Sequence, residues 1–224
     1  MTFHLLSIFP QIFDSYLKEG MIKRAIDKKI IDIKSYDLRR WTKDKHRSVD
    51  DSPYGGGAGM LMKIEPIYQA LEDIKKTKQK LNRGKKAVIL LAANGKTWDQ
   101  NLAKKYSKYQ EIVFVCGRYE GVDARVEEFI DDKISIGNYV LTGGELPALV
   151  IIDSISRLLP GVLGNADSHK DESYSQTGVL EYPQYTKPEI FIAKRKKYSV
   201  PPVLLSGDHK KIKEWRENNK KIKK

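Results

Sequence analysis

The stretch Ile136-Gly137-Asn138-Tyr139-Val140-Leu141-Thr142-Gly143-Gly144-Glu145-Leu146-Pro147 constrains the fold more than any other part of the chain. A β-like run, Lys133 to Ile136, enters it, and an apolar helix-like run, Leu146 to Leu159, leaves it. Glycines at 137, 143 and 144 suit neither strand nor helix. They permit positive φ and close approach of a second backbone. Gly143-Gly144 breaks the chain just before a helix with Pro147 in its first turn. The pattern is strand, glycine loop, helix, without the spacing of the dinucleotide fingerprint. The residues alone fit a ligand-binding loop and an ordinary tight turn equally well.

Strands and helices alternate ahead of this stretch. His4 to Phe9 reads as a strand ended by Pro10, and Gln11 to Lys29 as a helix with Gly20 as its weak point. Ile30 to Tyr36 reads as a second strand. His4 reads as a packed or surface histidine, because no metal-spaced partner stands near it. Lys63 to Lys80 has the periodicity of an amphipathic helix. Ala87 to Ala92 is a continuous apolar strand of the kind buried on both faces of a parallel sheet, and Glu111 to Cys116 reads as another buried strand. Helices are predicted at Trp98 to Tyr109 and Val122 to Ile130. This alternation predicts an α/β fold with a parallel sheet, which binds ligands beyond the C-terminal ends of its strands. Gly117-Arg118-Tyr119-Glu120-Gly121 and the Ile136 loop both stand there.

Two other loops carry glycine. The polar stretch Leu38 to Met60 ends in Pro53-Tyr54-Gly55-Gly56-Gly57-Ala58-Gly59-Met60, long enough to suggest a functional loop. Ala93-Asn94-Gly95-Lys96-Thr97 ends like a phosphate-binding P-loop, but Leu90 stands where that motif needs glycine. The helix from Leu146 to Leu159 is apolar nearly all round and must be buried, for which a second subunit is a natural cover. Lysine and arginine exceed aspartate and glutamate by 41 − 29 = 12. That excess points to a polyanionic partner, nucleic acid first. Cys116 is the only cysteine, so no intramolecular disulfide forms and the cytoplasm is the expected compartment. The N-terminus reads as a strand and not as a signal peptide, and no apolar run reaches membrane-spanning length.

Gly164 to Gln176 is polar and reads as a flexible linker. Beyond it, Lys187-Pro188 can open a helix, Lys194-Arg195-Lys196-Lys197 is a basic cluster, and His209 to Lys224 reads as a basic amphipathic helix.

Taken in order, the motifs are Pro53 to Met60, Cys116-Gly-Arg-Tyr-Glu-Gly-Val-Asp123, and Ser135 to Pro147. Ser156-Arg-Leu-Leu-Pro-Gly-Val-Leu-Gly164, Tyr182 to Pro188 and Pro202 to His209 follow. This closely resembles the bacterial tRNA (guanine-N1)-methyltransferases of the SPOUT superfamily over nearly the whole chain. The resemblance implies a deep trefoil-knotted α/β domain over residues 1–160, a linker over 161–176 and a small, mainly helical tRNA-binding domain over 177–224. It implies an obligate homodimer, tRNA as partner, no membrane, and S-adenosylmethionine as methyl donor to N1 of the guanosine immediately 3′ of the anticodon. Donor contacts carried over by motif are Gly95, Tyr119, Glu120, Gly121, Ile136, Gly137, Tyr139, Leu141, Gly143 and Gly144. Members also depend on Mg²⁺, with Glu120 the matched carboxylate. Where the family often has Ser-Pro before Gln-Gly, this chain has Ala92-Ala93-Asn94-Gly95, and Asn138 replaces a usual aspartate. The family's base is an aspartate before Ser-Phe; here Glu172 precedes Ser173-Tyr174, with Asp171 one place earlier.

Guanine N1 is a poor nucleophile until its proton leaves. A desolvated carboxylate can take that proton, a role the motif gives to Glu172. A fixed guanidinium such as Arg157 can then stabilise charge developing on O6, although an ion pair with Asp153 is its ordinary helical role. Two other classes compete. A P-loop hydrolase would use Gly95-Lys96-Thr97, and a non-catalytic RNA-binding protein would use the same basic surface without the donor loop.

Overall fold

Strand Glu111–Cys116 explains the layering of the first unit. Its six residues are all buried. Ile112, Phe114 and Cys116 join one hydrophobic core, and Val113 and Val115 join another. Side chains alternate across a strand, so an unbroken apolar run is what a sheet covered on both faces requires.

The structure, a computed structural model, describes residues 1–78, 84–164 and 172–222. Its strands are β1 (Thr2–Ser7), β2 (Asp32–Asp37), β3 (Asp50–Asp51), β4 (Leu61–Met62), β5 (Lys86–Thr97), β6 (Glu111–Cys116), β7 (Asp132–Ser135), β8 (Val179–Leu180), β9 (Ile190–Ala193), β10 (Lys196–Ser199) and β11 (Lys221–Ile222). The helices are α1 (Asp14–Leu17), α2 (Gly20–Asp27), α3 (Ile64–Lys78), α4 (Gln100–Tyr106), α5 (Glu145–Ser156), α6 (Pro202–Leu205) and α7 (His209–Asn218). Short 3₁₀ turns occupy Pro10–Phe13, Leu38–Trp41 and Ala124–Phe129. Contacts divide the chain into Met1–Ala166 and Asp167–Lys224.

The first unit holds a five-stranded sheet in the order β2-β1-β6-β5-β7, with every pairing parallel. One core includes Phe3, Ile22, Tyr106 and Ile152, from β1, α2, α4 and α5. The other includes Leu6, Leu38, Ile67 and Leu71, drawing on β1 and α3. His4 is fully buried; Nδ1 lies 2.9 Å from the Tyr36 hydroxyl and Nε2 lies 3.3 Å from Glu111 Oε1. It is therefore a packed histidine.

Several predicted elements differ. The single helix expected over 11–29 is a 3₁₀ turn, α1 and α2, broken just before Gly20, whose φ is +61°. The predicted helix over 122–130 is a 3₁₀ turn. Lys187-Pro188 opens no helix; a cis peptide joins the two residues and β9 follows. The second unit is not mainly helical, since α6 and α7 share it with the β8–β11 pair and the β9–β10 hairpin. Gly161, with φ +84°, follows α5, and Val162 is buried in the first core. Glu172 to Gln176 form a turn on β8: Tyr174 N–H donates to Val179 O at 2.7 Å and Glu181 N–H to Ser173 Oγ at 3.0 Å. Of the expected linker, 165–171, including Asp171, lies outside the described residues.

β5 extends well past its apolar half. Leu91 and Lys96 both pair with Ile134 of β7, so 92–95 bulge out of the ladder between them. Bulges of this kind re-aim a strand beside a site. Lys96 and Thr97 are ladder residues, so Gly95-Lys96-Thr97 is no phosphate cradle between strand and helix. An ideal Cβ on Gly95 would lie 2.6 Å from both the carbonyl carbon and the nitrogen of Ile134. Backbone cannot step aside as a side chain can. Gly95→Ala should lower stability by about 3 kcal/mol, the upper part of the overpacking range. Urea denaturation would show this as a lower midpoint at unchanged slope; a midpoint equal to wild type would refute the contact.

Candidate active site

Three loops close over the C-terminal ends of β6, β5 and β7, three neighbouring strands. Between them lies a cavity of about 450 Å³, within the ordinary range for small-molecule sites. Ala92, Ala93 and Asn94, from the β5 bulge, line one side. Gly117 to Val122 line a second, and Ile136, Gly137 and Tyr139 to Gly144 a third.

Backbone hydrogen bonds stitch these walls together. Glu120 N–H donates to Met60 O at 3.1 Å and Met62 N–H to Gly121 O at 2.9 Å, so the loop after β6 rests on β4. Tyr119 holds φ +61°, an uncommon value for a non-glycine residue and one that marks a constrained loop. Gly59 presses on the same loop: a Cβ there would meet Glu120 Cγ at 2.4 Å. Ser135 Oγ–H donates to Gly137 O at 2.9 Å and shapes the start of the third wall. The Tyr139 ring covers Gly137, where a Cβ would lie 2.5 Å from Cε1. At the far end Gly144 N–H donates to Gly117 O at 2.9 Å, and a Cβ on Gly144 would lie 2.8 Å from Cys116 Cα. The chain thus crosses directly over the end of β6 before α5 begins.

A buried carboxylate fastens that crossing. Glu145, in the first turn of α5, is 1% exposed. Its Oε1 accepts from Ser7 Oγ–H at 2.6 Å and its Oε2 from Arg118 Nε–H at 2.9 Å. Arg118 also donates from Nη1 to Thr142 O at 3.3 Å and lies over the Phe9 ring at 5.0 Å. One buried carboxylate therefore ties the end of β1, by a hydrogen bond, to the loop after β6, by a salt bridge, at the start of α5. Burial and the nearby Glu145 charge push the Cys116 thiol up, which makes it inert as a nucleophile.

A family model described as tRNA (Guanine-1)-methyltransferase TrmD matches residues 1–224. The chain belongs to this family. Similar curated proteins bear the name tRNA (guanine-N(1)-)-methyltransferase. The one from Clostridium botulinum (strain Hall) is 50% identical over 97% of this chain and 85% of its own length. That from Clostridioides difficile is 49% identical, covering 96% and 90%. That from Persephonella marina is 48% identical, covering 96% and 82%.

Of the ten residues that the methyltransferase motifs nominate for the donor, Tyr119, Glu120, Gly121, Ile136, Gly137, Tyr139, Leu141, Gly143 and Gly144 all line the cavity. Gly95 is not among the lining residues; it follows Asn94, which is, and a Cβ on it would meet the Ile134 backbone. Glu120 is exposed, and the described residues hold no group of three or more His, Cys, Asp or Glu side chains able to hold a metal ion. The expectation of Mg²⁺ at Glu120 gains no support from this donor set. Arg157 caps the C-terminal end of α5 and is absent from the cavity lining. The twelve residues of α5 separate it from Gly144 by about 20 Å at 1.5 Å per residue. Glu172 belongs to the second unit. Ser7, Glu145 and Arg118 were not legible as partners, since the residues of this clasp lie up to 138 positions apart in sequence.

The clasp makes a sharp prediction. Arg118→Ala leaves Glu145 charged and buried, which should cost about 3–5 kcal/mol. Adding Glu145→Gln to that variant should recover much of the loss, because an amide is cheaper to bury than a carboxylate. A double-mutant cycle in urea measures the coupling, and simple additivity would show that the pair is not coupled.

Proposed function

We propose that this chain transfers the methyl group of S-adenosylmethionine to N1 of the guanosine immediately 3′ of the anticodon in tRNA. The observation that carries this reading is the glycine-walled cavity over β5, β6 and β7 in a member of this family. The cavity suits such a donor: it is concave, and its glycines bring backbone N–H and C=O groups to the wall where side chains have no room. Tyr119, Glu120, Gly121, Ile136, Gly137, Tyr139, Leu141, Gly143 and Gly144 would hold the donor, which when bound supplies a methyl group on a cationic sulfur. The passage from β6 to β7 carries the chain past β5, and α5 starts against Gly117. This supports the family's trefoil-knotted arrangement of these loops.

The chain's own groups then have distinct tasks. Glu172 takes the N1 proton, which makes the ring nitrogen nucleophilic. Arg157 stabilises the charge that develops on O6. The walls exclude water and hold the reacting groups in register, which supplies much of the acceleration.

Arg157 reaches a donor cavity if two copies pair along α5. Leu146 and Val150 stand one turn apart on this helix and are 57% and 47% exposed. Helical spacing puts Arg157 on the same face. Phe9, Ile12 and Tyr16 add exposed apolar surface on the elements that precede α2. Tyr16 O–H donates to Asp153, and this bond pushes the phenol up to about 12. Two such faces crossing in antiparallel sense bring Arg157 of the partner subunit toward the Gly143-Gly144 end. The site is then shared, and a homodimer is required for turnover. Ile152 is fully buried inside one chain and reports on the core, so Val150 is the residue that tests the interface. Val150→Glu should give a folded monomer without activity, since burying an unpaired charge at an interface is expensive. An active dimer in analytical ultracentrifugation would sink the shared site.

The activity itself is tested with purified protein, labelled donor and tRNA transcripts carrying guanosine or adenosine at the target position. Label should enter only the guanosine transcript. Glu172→Gln should lower turnover by about 10²-fold or more with donor binding nearly unchanged, and its pH–rate profile should lose the acidic limb. Asp171→Asn should cost little. The opposite ranking of these two variants would move the base by one residue.

A further inference from the structure

None of the residues assigned to donor or target base lies in the β9–β10 hairpin. Its register pairs Phe191 with Tyr198, Ala193 with Lys196, Ile192 with Lys197 and Ile190 with Ser199. Alternation therefore puts Phe191, Tyr198 and Lys196 on one face, and Ile190, Ile192 and Lys197 on the other. The two rings pack 6.4 Å apart, with Lys196 Nζ 5.3 Å from the Tyr198 centroid. Yet Phe191 is 58% and Tyr198 51% exposed, and Ile190 and Ile192 are exposed as well. A two-stranded hairpin bare on both faces is marginal in water. It has little shelter within its own unit, because no described residue from 172 to 222 is fully buried.

Charge identifies the partner. Lys194, Arg195, Lys196 and Lys197 run consecutively through the turn, and no acidic residue stands between Ile190 and Ser199. None of the four is in an ion pair among the described residues. Lys194 and Arg195 hold φ values of +48° and +62°. A hairpin turn with two left-handed residues favours Asn-Gly, so two long cations stand there against local preference. Cations at a tip beside exposed aromatic rings are the combination that binds unpaired nucleotides: phosphates on the charges, bases on the rings.

We propose that the β9–β10 hairpin is an RNA-docking prong, in which Lys194 to Lys197 take phosphates of the tRNA and the Phe191–Tyr198 face stacks one of its unpaired bases. This rests on tRNA being the substrate, and it assigns to one hairpin, and to stacking on its rings, a tRNA contact that the family resemblance gives only to residues 177–224 as a whole.

The test uses the full chain and an unmodified tRNA transcript, with binding measured over a range of KCl concentrations. A variant with Lys194, Arg195, Lys196 and Lys197 all changed to serine should flatten the slope of log K against log salt by about 2 or more. Tyr198→Leu keeps apolar bulk but removes the ring; it should leave the slope alone and weaken binding about tenfold. Donor binding by calorimetry should match wild type in both. Should the fourfold variant fail to fold, Arg195→Ser alone should flatten the slope by about 0.7 or more, and an unchanged slope overturns the proposal. If wild type methylates the transcript while the variants bind it equally well, the prong falls and the activity stands. If wild type neither binds nor methylates it, both fall. A changed oligomeric state in the variants with unchanged RNA binding would make the hairpin a protein contact and overturn the RNA assignment.

Discussion

Two backbone-on-backbone contacts hold the C-terminal end of the sheet together: Gly95 on Ile134 and Gly144 on Cys116. At neither place is there room for a Cβ. The first brings β5 back to β7 after its bulge, and the second lays the loop before α5 across the end of β6. Without them the three cavity walls would stand apart, and backbone groups aimed at a ligand would face water. The Glu145–Arg118 clasp acts on the same crossing and fixes its direction from below, through Ser7 of β1.

Helix α5 serves several demands at once, which explains its near-uniform apolar composition. Its first turn supplies the clasp, its middle fills a core through Ile151, Ile152 and Ile155, and its outer face carries Leu146 and Val150. A helix with only one buried stripe would show the usual amphipathic period. Here the period is hidden because the exposed face also carries apolar residues, Leu146 and Val150, the face proposed to meet a second copy. Sequence alone therefore cannot separate Ile152, which is core, from Val150, which is exposed within the chain.

Much of the fold was legible because strands buried on both faces write themselves as unbroken apolar runs. Ala87 to Ala92 and Ile112 to Cys116 are such runs, and the parallel sheet follows from the helices between them. What was not legible depended on partners distant in sequence. The extension of β5 through Thr97 is polar and glycine-containing, and it becomes strand only because β7 lies alongside. The motif gives Gly95 as a donor contact; what the structure adds is that no side chain fits there, because a Cβ would strike the Ile134 backbone. The helix expected after Lys187-Pro188 failed because a hairpin with exposed rings and cations has no burial pattern to announce it. Nine of the ten motif-derived donor positions gather around one cavity, since those residues sit in loops whose anchoring strands were correctly placed.

A wall made of backbone also limits how the protein can change under pressure from an inhibitor. A compound that takes its hydrogen bonds from main-chain groups near Gly143 and Gly144 meets atoms that every residue possesses. Replacing Gly144 to evade it would push a Cβ into Cys116 and damage the fold before it affected the compound. Escape is left to exposed side chains that line the cavity, among them Tyr119, Tyr139, Val140 and Leu141. Resistance to a backbone-directed ligand would therefore have to come from the rim, where the same residues are among those proposed to hold the methyl donor.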